Sequence, residues 1–139
     1  MGSSPTGRTR DVGWEIGVSR SIPFAPDHVW ALLADRPQVW LGDGARLPRE
    51  VGEQWESGDG TVGELRSFRP GDRIRLTWKP VHWSHDSTVQ VALTPSARGT
   101  TVRFHQERLA SSAERVAQRD HWTAVVDRVV AALEPGDRS

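Results

Sequence analysis

Hydrophobic and polar residues alternate along this chain with two different periods. From Val12 the period is two: Val12, Trp14, Ile16 and Val18 share one face, with Gly13, Glu15, Gly17 and Ser19 opposite. Successive side chains of a strand point to opposite faces, so this stretch predicts a strand buried on one side and ending near Pro23. At the other end of the chain the period is that of a helix. At about 100° per residue, Trp122, Val125, Val126, Val129, Val130 and Leu133 fall on one stripe of a helix running from Ser111 to Glu134. Ser111-Ser112-Ala113-Glu114 reads as a capping box at its start, and Pro135-Gly136 stops it.

Between these two elements the pattern predicts short helices and then strands. Pro26-Asp27 suits a helix start, with Val29, Trp30 and Leu33 as the inner face, and Asp35-Arg36-Pro37 breaks it. One further turn covers Gln38 to Leu41 before Gly42-Asp43-Gly44. A brief strand is expected at Ala45 to Leu47 and a better one at Gly52 to Ser57 around Trp55, followed by the hairpin signal Gly58-Asp59-Gly60. Thr61 to Phe68 is a strand with broken alternation. Val62 and Phe68 share a parity with Glu64 and Arg66, so either a bulge intervenes or charged groups point inward. Ile74, Leu76 and Trp78 alternate with Arg73, Arg75 and Thr77; Val89, Val91 and Leu93 follow in the same way, and Val102 and Phe104 mark a last strand. The expected architecture is α+β: an antiparallel sheet and one long helix, with two short helices after the first strand. A single domain over residues 11–135 is expected, with a disordered polar tail at 1–10 and a short tail at 136–139.

The order and spacing of several motifs resemble the helix-grip fold of the START/Bet v superfamily, also called SRPBCC. More closely, they are similar to the bacterial relatives of the heat-shock-protein ATPase activator's C-terminal domain. The residues that carry the resemblance are Ile22-Pro23-Phe24-Ala25-Pro26-Asp27-His28-Val29-Trp30 with Leu33 and Asp35, then Trp40-Leu41-Gly42, Gly63-Glu64-Leu65 through Pro70, and Ile74 to Trp78. Ser87-Thr88-Val89, Gly99-Thr100-Thr101-Val102, and Trp122 with Val125-Val126-Asp127-Arg128-Val129 complete it. Where relatives often carry Trp-Trp-Gly, this chain has Trp40-Leu41-Gly42. The resemblance implies a curved antiparallel sheet wrapped around the C-terminal helix with an apolar cavity between them. It also implies one of several functions: binding of lipids, polyketides or other apolar molecules, cyclase or aromatase catalysis, or binding to a chaperone. Fold kinship does not choose among these.

Composition narrows the partners. The 18 basic and 18 acidic residues cancel, which argues against nucleic acid or an anionic membrane as main partner. With no Cys, disulfides, thiolate chemistry and Cys-based zinc sites are excluded. No apolar run approaches the roughly 20 residues of a membrane span and no signal peptide is visible, so a cytoplasmic protein is expected, as monomer or weak dimer. Seven Trp against three Phe and no Tyr is an unusual supply of large rings, which fill cores and also wall apolar pockets.

The expected cavity lining is Trp14, Trp55, Trp78, Phe104, Trp122 and Val126. Arg115, Gln118 and Arg119 occupy, in the first half of the long helix, the angles that Leu133, Val125 and Val126 occupy in the second. That half is read either as a solvated overhang or as a cavity mouth, where an Arg could hold a ligand carboxylate through two parallel bonds. His82-Trp83-Ser84-His85-Asp86 has metal-ligand residue types but sits in a hairpin loop without a placed fourth ligand, His105 and His121 being the candidates, so no metal and no cofactor are expected. Glu64 and Arg66 are read as turned to solvent by a bulge, or Glu64 as paired with an Arg, in preference to an acid and a ligand-orienting group inside the cavity. No nucleophile elbow, P-loop or dinucleotide fingerprint occurs. The expected function is small-molecule binding, of an apolar or aromatic ligand between sheet and helix. The alternatives are a cyclase or aromatase using the same cavity and a chaperone-interacting module.

Overall fold

The computed structural model describes residues 8–9 and 13–134. Ten elements follow in order: β1 (Arg8–Thr9), β2 (Gly13–Ile22), α1 (Pro26–Asp35), α2 (Gln38–Leu41), β3 (Gln54–Glu56), β4 (Val62–Arg69), β5 (Arg73–Trp78), β6 (Ser87–Ser96), β7 (Gly99–Leu109) and α3 (Ser112–Leu133). The strands form one antiparallel sheet in the order β1-β2-β7-β6-β5-β4-β3. Strands β3 to β7 are joined as successive hairpins, and only the β2-to-β3 connection crosses from one side of the sheet to the other, carrying α1 and α2 with it. The long helix packs on β2 and β7 and is flanked by α1 and α2. This is a helix-grip fold, a curved sheet around a C-terminal helix with two short helices after the first long strand.

Alternation along the strands decides what the sheet turns toward α3. On β7, Val102, Phe104 and Gln106 are buried, and across the ladder they face Leu93, Val91 and Val89 of β6. Those in turn sit beside Ile74 and Leu76 of β5 and Leu65 of β4, all buried. The helix answers with Trp122, Val125, Val126, Val129 and Leu133. Val130 is half-buried beside this stripe, and Val116 in the first half is exposed. An ion pair of 2.7 Å between Arg20 and Asp127 adds a tie from β2 to α3 at the surface.

The ends of α3 follow the sequence closely. Ser111 Oγ accepts from the Glu114 amide at 3.1 Å. The Glu114 carboxylate reaches back one residue further than a simple capping box, to the Ala110 amide at 2.8 Å. Two expectations need adjustment. Ala45 to Leu47 is not a strand: the Ala45 amide is used by the Gly42 carbonyl at 3.1 Å, closing a turn, and Pro48 follows. Arg8 and Thr9, placed in the expected tail, pair with Trp14 and Gly13 as β1. The rest of the two expected tails lies outside the described residues.

Candidate functional site

Between sheet and helix runs a continuous row of rings. Trp40 of α2 leans on Phe104 at 5.9 Å between centroids, and Phe104 stacks on Trp122 at 5.2 Å. Trp122 meets Trp78 at 5.8 Å, and Trp78 meets the loop residue Trp83 edge-on at 5.4 Å. Trp83 is in turn stacked on His85 at 4.7 Å. Threaded through the row is one chain of hydrogen bonds. Trp122 Nε1 donates to Gln106 Oε1 at 2.8 Å, Gln106 Nε2 donates to Ser87 Oγ at 2.9 Å, and Ser87 Oγ donates to the Trp78 carbonyl at 2.7 Å. Gln106 and Ser87 are both wholly buried, where a polar group left unpaired costs about 1–3 kcal/mol, so the chain fixes which way each ring lies.

Of the expected lining residues, the structure brings Trp78, Phe104 and Trp122 together in this row. Val126 lies one turn beyond Trp122 and is buried. Trp55 is buried at the β3–β4 hairpin, with Nε1 donating to the Thr77 carbonyl at 2.9 Å. That contact requires glycine at position 63, since a Cβ there would lie 1.8 Å from the Thr77 oxygen and 2.4 Å from Trp55 Nε1. Trp14 is half-buried and packs against the edge of the core. Of the expected mouth residues, Arg115 donates Nε to the Glu15 carbonyl at 3.0 Å, clamping the helix start to β2. Arg119 is exposed, and Gln118 Oε1 is buried and accepts no hydrogen bond from the described residues.

Four of the five histidines divide among three places. His82 is exposed. His85 has both ring nitrogens engaged, Nδ1 with the Asp86 carbonyl and Nε2 with Glu114 Oε2, each at 3.0 Å, so the β5–β6 loop is tied to the first turn of α3. Burial pulls the His85 pKa down, but the Glu114 hydrogen bond, the Asp86 carbonyl and the charges of Glu114 and Asp86 outweigh it, and the net shift is upward. His121 lies edge-on to Trp122 at 4.7 Å and beside Trp78 at 5.6 Å. Burial first, and the Arg128 charge second, push its pKa down against the opposing charge of Asp59, so it is neutral at pH 7. His105 lies on the other face of the sheet, beside Glu15. Glu64 and Arg66 pair with each other at 3.4 Å, and a bulge between Leu65 and Ser67 accounts for the broken alternation of β4.

Sequence reasoning missed two features. Gln106 shares the inward parity of Val102 and Phe104, and that parity was the available signal for a buried polar group. The other is a groove of about 550 Å³ between α2 and α3, lined by Gln38, Val39, Gly42, Asp43, Arg128 and two alanines. It depends on how α2 docks, which no local pattern encodes. Val39 faces this groove while the next residue, Trp40, is buried against Phe104, so a single helical turn separates the groove from the aromatic row.

Residues 23–134 match the family model described as "Activator of Hsp90 ATPase homolog 1-like protein". No protein of curated function matches the sequence. Among solved structures, protein MLL2253 from Mesorhizobium loti is similar with a TM-score of 0.74 at 21% identity, over 90% of this chain and 98% of that one. The solution structure of CalU16 from Micromonospora echinospora gives a TM-score of 0.78 at 19% identity, over 93% of this chain and 73% of that one. DynU16, a protein of the dynemicin biosynthetic locus, gives 0.76 at 23% identity, over 88% of this chain but 48% of that one. Among the described residues no helix is long and apolar enough to cross a membrane.

Proposed function

The chain belongs to the Activator of Hsp90 ATPase homolog 1-like family, and from that premise we propose that it is a small-molecule-binding protein. Its ligand is apolar or aromatic and is held between the sheet and α3. The observation that carries this reading is the groove between α2 and α3, with the aromatic row directly behind one helical turn. The α2 turn is a short plug, ending at Gly42 with φ of 104° and anchored inward by Trp40 Nε1 on the Leu33 carbonyl at 2.9 Å. A ligand entering from the groove takes its place against Trp78, Phe104, Trp122 and Val126, with Trp14 and Trp55 as outer parts of the same wall. Flat rings recognise flat apolar molecules by area and stacking. Gln118 Oε1, a buried acceptor one turn before Trp122, supplies a polar contact to a ligand hydroxyl or amine, and Arg119 lies next to it at the mouth.

Titration with a neutral aromatic probe such as 1-naphthol tests this. The expected result is a saturable change in Trp fluorescence that is lost in Ala132→Phe, which narrows the groove between α2 and α3. Unchanged fluorescence, together with native mass spectrometry finding no co-purified small molecule, overturns it. One observation favours a second reading, a cyclase-type enzyme: His121 is a neutral imidazole against Trp78 and Trp122, suited to take a proton from a carbon chain folded along the row. Recovery of a linear poly-ketone mimic unchanged after incubation leaves binding alone.

A further inference from the structure

The face of the sheet turned away from α3 carries a second cluster. His105 and Glu107 alternate with the buried Phe104 and Gln106 on β7, and Glu15 precedes the buried Ile16 on β2, so all three point outward. Trp14 pairs with Leu109 and Ile16 with Gln106, which leaves Glu15 alone opposite Glu107 and Arg108 in a bulge. The extra residue brings the two carboxylates to the same spot as the imidazole. His105 Nε2 lies 2.6 Å from Glu15 Oε1, and one donor atom from each of Glu15, His105 and Glu107 falls within 4.8 Å of the other two. The three side chains are 16 to 30% exposed, open to solvent on one side only.

Arg75 of β5 pairs with Glu107 at 2.5 Å, and no ion pair of Glu15 with an Arg or Lys is found among the described residues. Two carboxylates set side by side on adjacent strands repel one another unless a cation lies between them. The donors are one imidazole nitrogen and two carboxylate oxygens, a set that suits a borderline transition ion better than magnesium or calcium, which take oxygen donors.

We propose that Glu15, His105 and Glu107 form a three-ligand site for a divalent transition metal of the zinc class on the outer face of the sheet. Glu15 Oε1 then turns from hydrogen-bond partner of His105 to ligand beside it, and the remaining coordination positions face solvent. Arg75 Nη2 donates to Glu107 Oε2 and orients that carboxylate. The site is separated from the aromatic row by the thickness of the sheet, so it stands independently of any ligand held inside.

The test uses the full chain freed of metal with a chelator, titrated with zinc by calorimetry and with cobalt(II) by visible absorption. One equivalent is expected to bind, with affinity reduced by at least about tenfold in His105→Ala and in Glu107→Gln, and unchanged in His82→Ala, which removes the exposed loop imidazole. In the unsubstituted protein, zinc should move the NMR signals of the His105 ring and not those of His82 or His85, a readout that survives even if a variant fails to fold. Failure of the unsubstituted protein to bind zinc at micromolar concentration overturns the proposal. Binding that persists in His105→Ala/Glu107→Gln, or ring shifts confined to His82 and His85, does so as well.

Discussion

Strand β7 carries two kinds of chemistry on its two faces, and the contrast organises the molecule. Toward α3 it presents Val102, Phe104 and Gln106, none more than 1% exposed. Away from α3 it presents Arg103, His105 and Glu107. Inside, the Gln106 amide is tied on both sides, its oxygen accepting from Trp122 and its nitrogen donating to Ser87. Outside, charges gather in partial pairs: Glu15 with His105 and Glu107 with Arg75. The difference is solvent. A buried polar group without a partner costs about 1–3 kcal/mol, so the closed network stabilises Gln106 and Ser87 within the core, whereas an exposed pair is worth about 0–1 kcal/mol and like charges can be neighbours. Closed networks fix shape; open ones are where an external cation can add something.

Removing the inner face should therefore cost most. Trp122→Ala deletes the ring at the centre of the row, with its stacking on Phe104 and its bond to Gln106, and is expected to lower unfolding free energy by about 3–5 kcal/mol in urea titration. Gln106→Leu keeps the volume but leaves Trp122 Nε1 without an acceptor. Its expected cost is about 1–3 kcal/mol, and a cost near zero would mean that the network contributes orientation without stability.

Periodicity made the inner face legible before the structure. The stripe of α3, the hairpin at Gly58-Asp59-Gly60 and the α2 turn at Gln38 to Leu41 all sit where alternation and turn chemistry put them. These are local signals, because burial imposes a period on contiguous residues. The bulge in β4 was legible only as a broken pattern, since alternation cannot distinguish a bulge from a charge pointing inward. Contacts across long sequence separations were not legible. The His85–Glu114 tie, the Arg115 clamp on β2 and the meeting of Glu15 with Glu107 depend on register between elements 29 to 100 residues apart. His85 was noticed for metal chemistry, and Glu114 for capping; their contact with each other had no sequence signature.

Two histidines near α3 should respond to pH in opposite directions. The folded pKa of His85 is raised above its ordinary value of 6.5, so protonated His85 adds stability that is fully present below 6.5 and lost as pH rises through the folded value. Glu114→Gln, which keeps the bond to the Ala110 amide, should abolish that gain on acidification. The folded pKa of His121 is lowered, so between it and 6.5 the unfolded chain binds more protons and stability falls as pH falls. His121→Gln should remove this loss. Urea midpoints measured at about pH 5.5 and 7.5 in both variants separate the two contributions. Equal pH slopes in the two variants would mean that the aromatic row and the His85–Glu114 tie do not govern these groups.

The smallest effects belong to the outer face, where two arginines that sequence alone treats alike differ by what they hold. Arg75 is one-third exposed and pairs with a Glu107 side chain that is 16% exposed, beside the second carboxylate of Glu15. Arg75→Ala leaves those carboxylates together without their cation, and should cost about 1 kcal/mol, less in high salt because Glu15 and Glu107 are then screened from each other. Arg66 is 54% exposed and meets Glu64 at 3.4 Å, with solvent free to take over both partners. Arg66→Ala should change stability by less than about 0.5 kcal/mol. If the two substitutions prove equal, the Glu15–His105–Glu107 cluster is an ordinary surface ion-pair network. If Arg75→Ala alone is costly and zinc restores its stability, the repulsion between the two carboxylates is what a bound cation relieves.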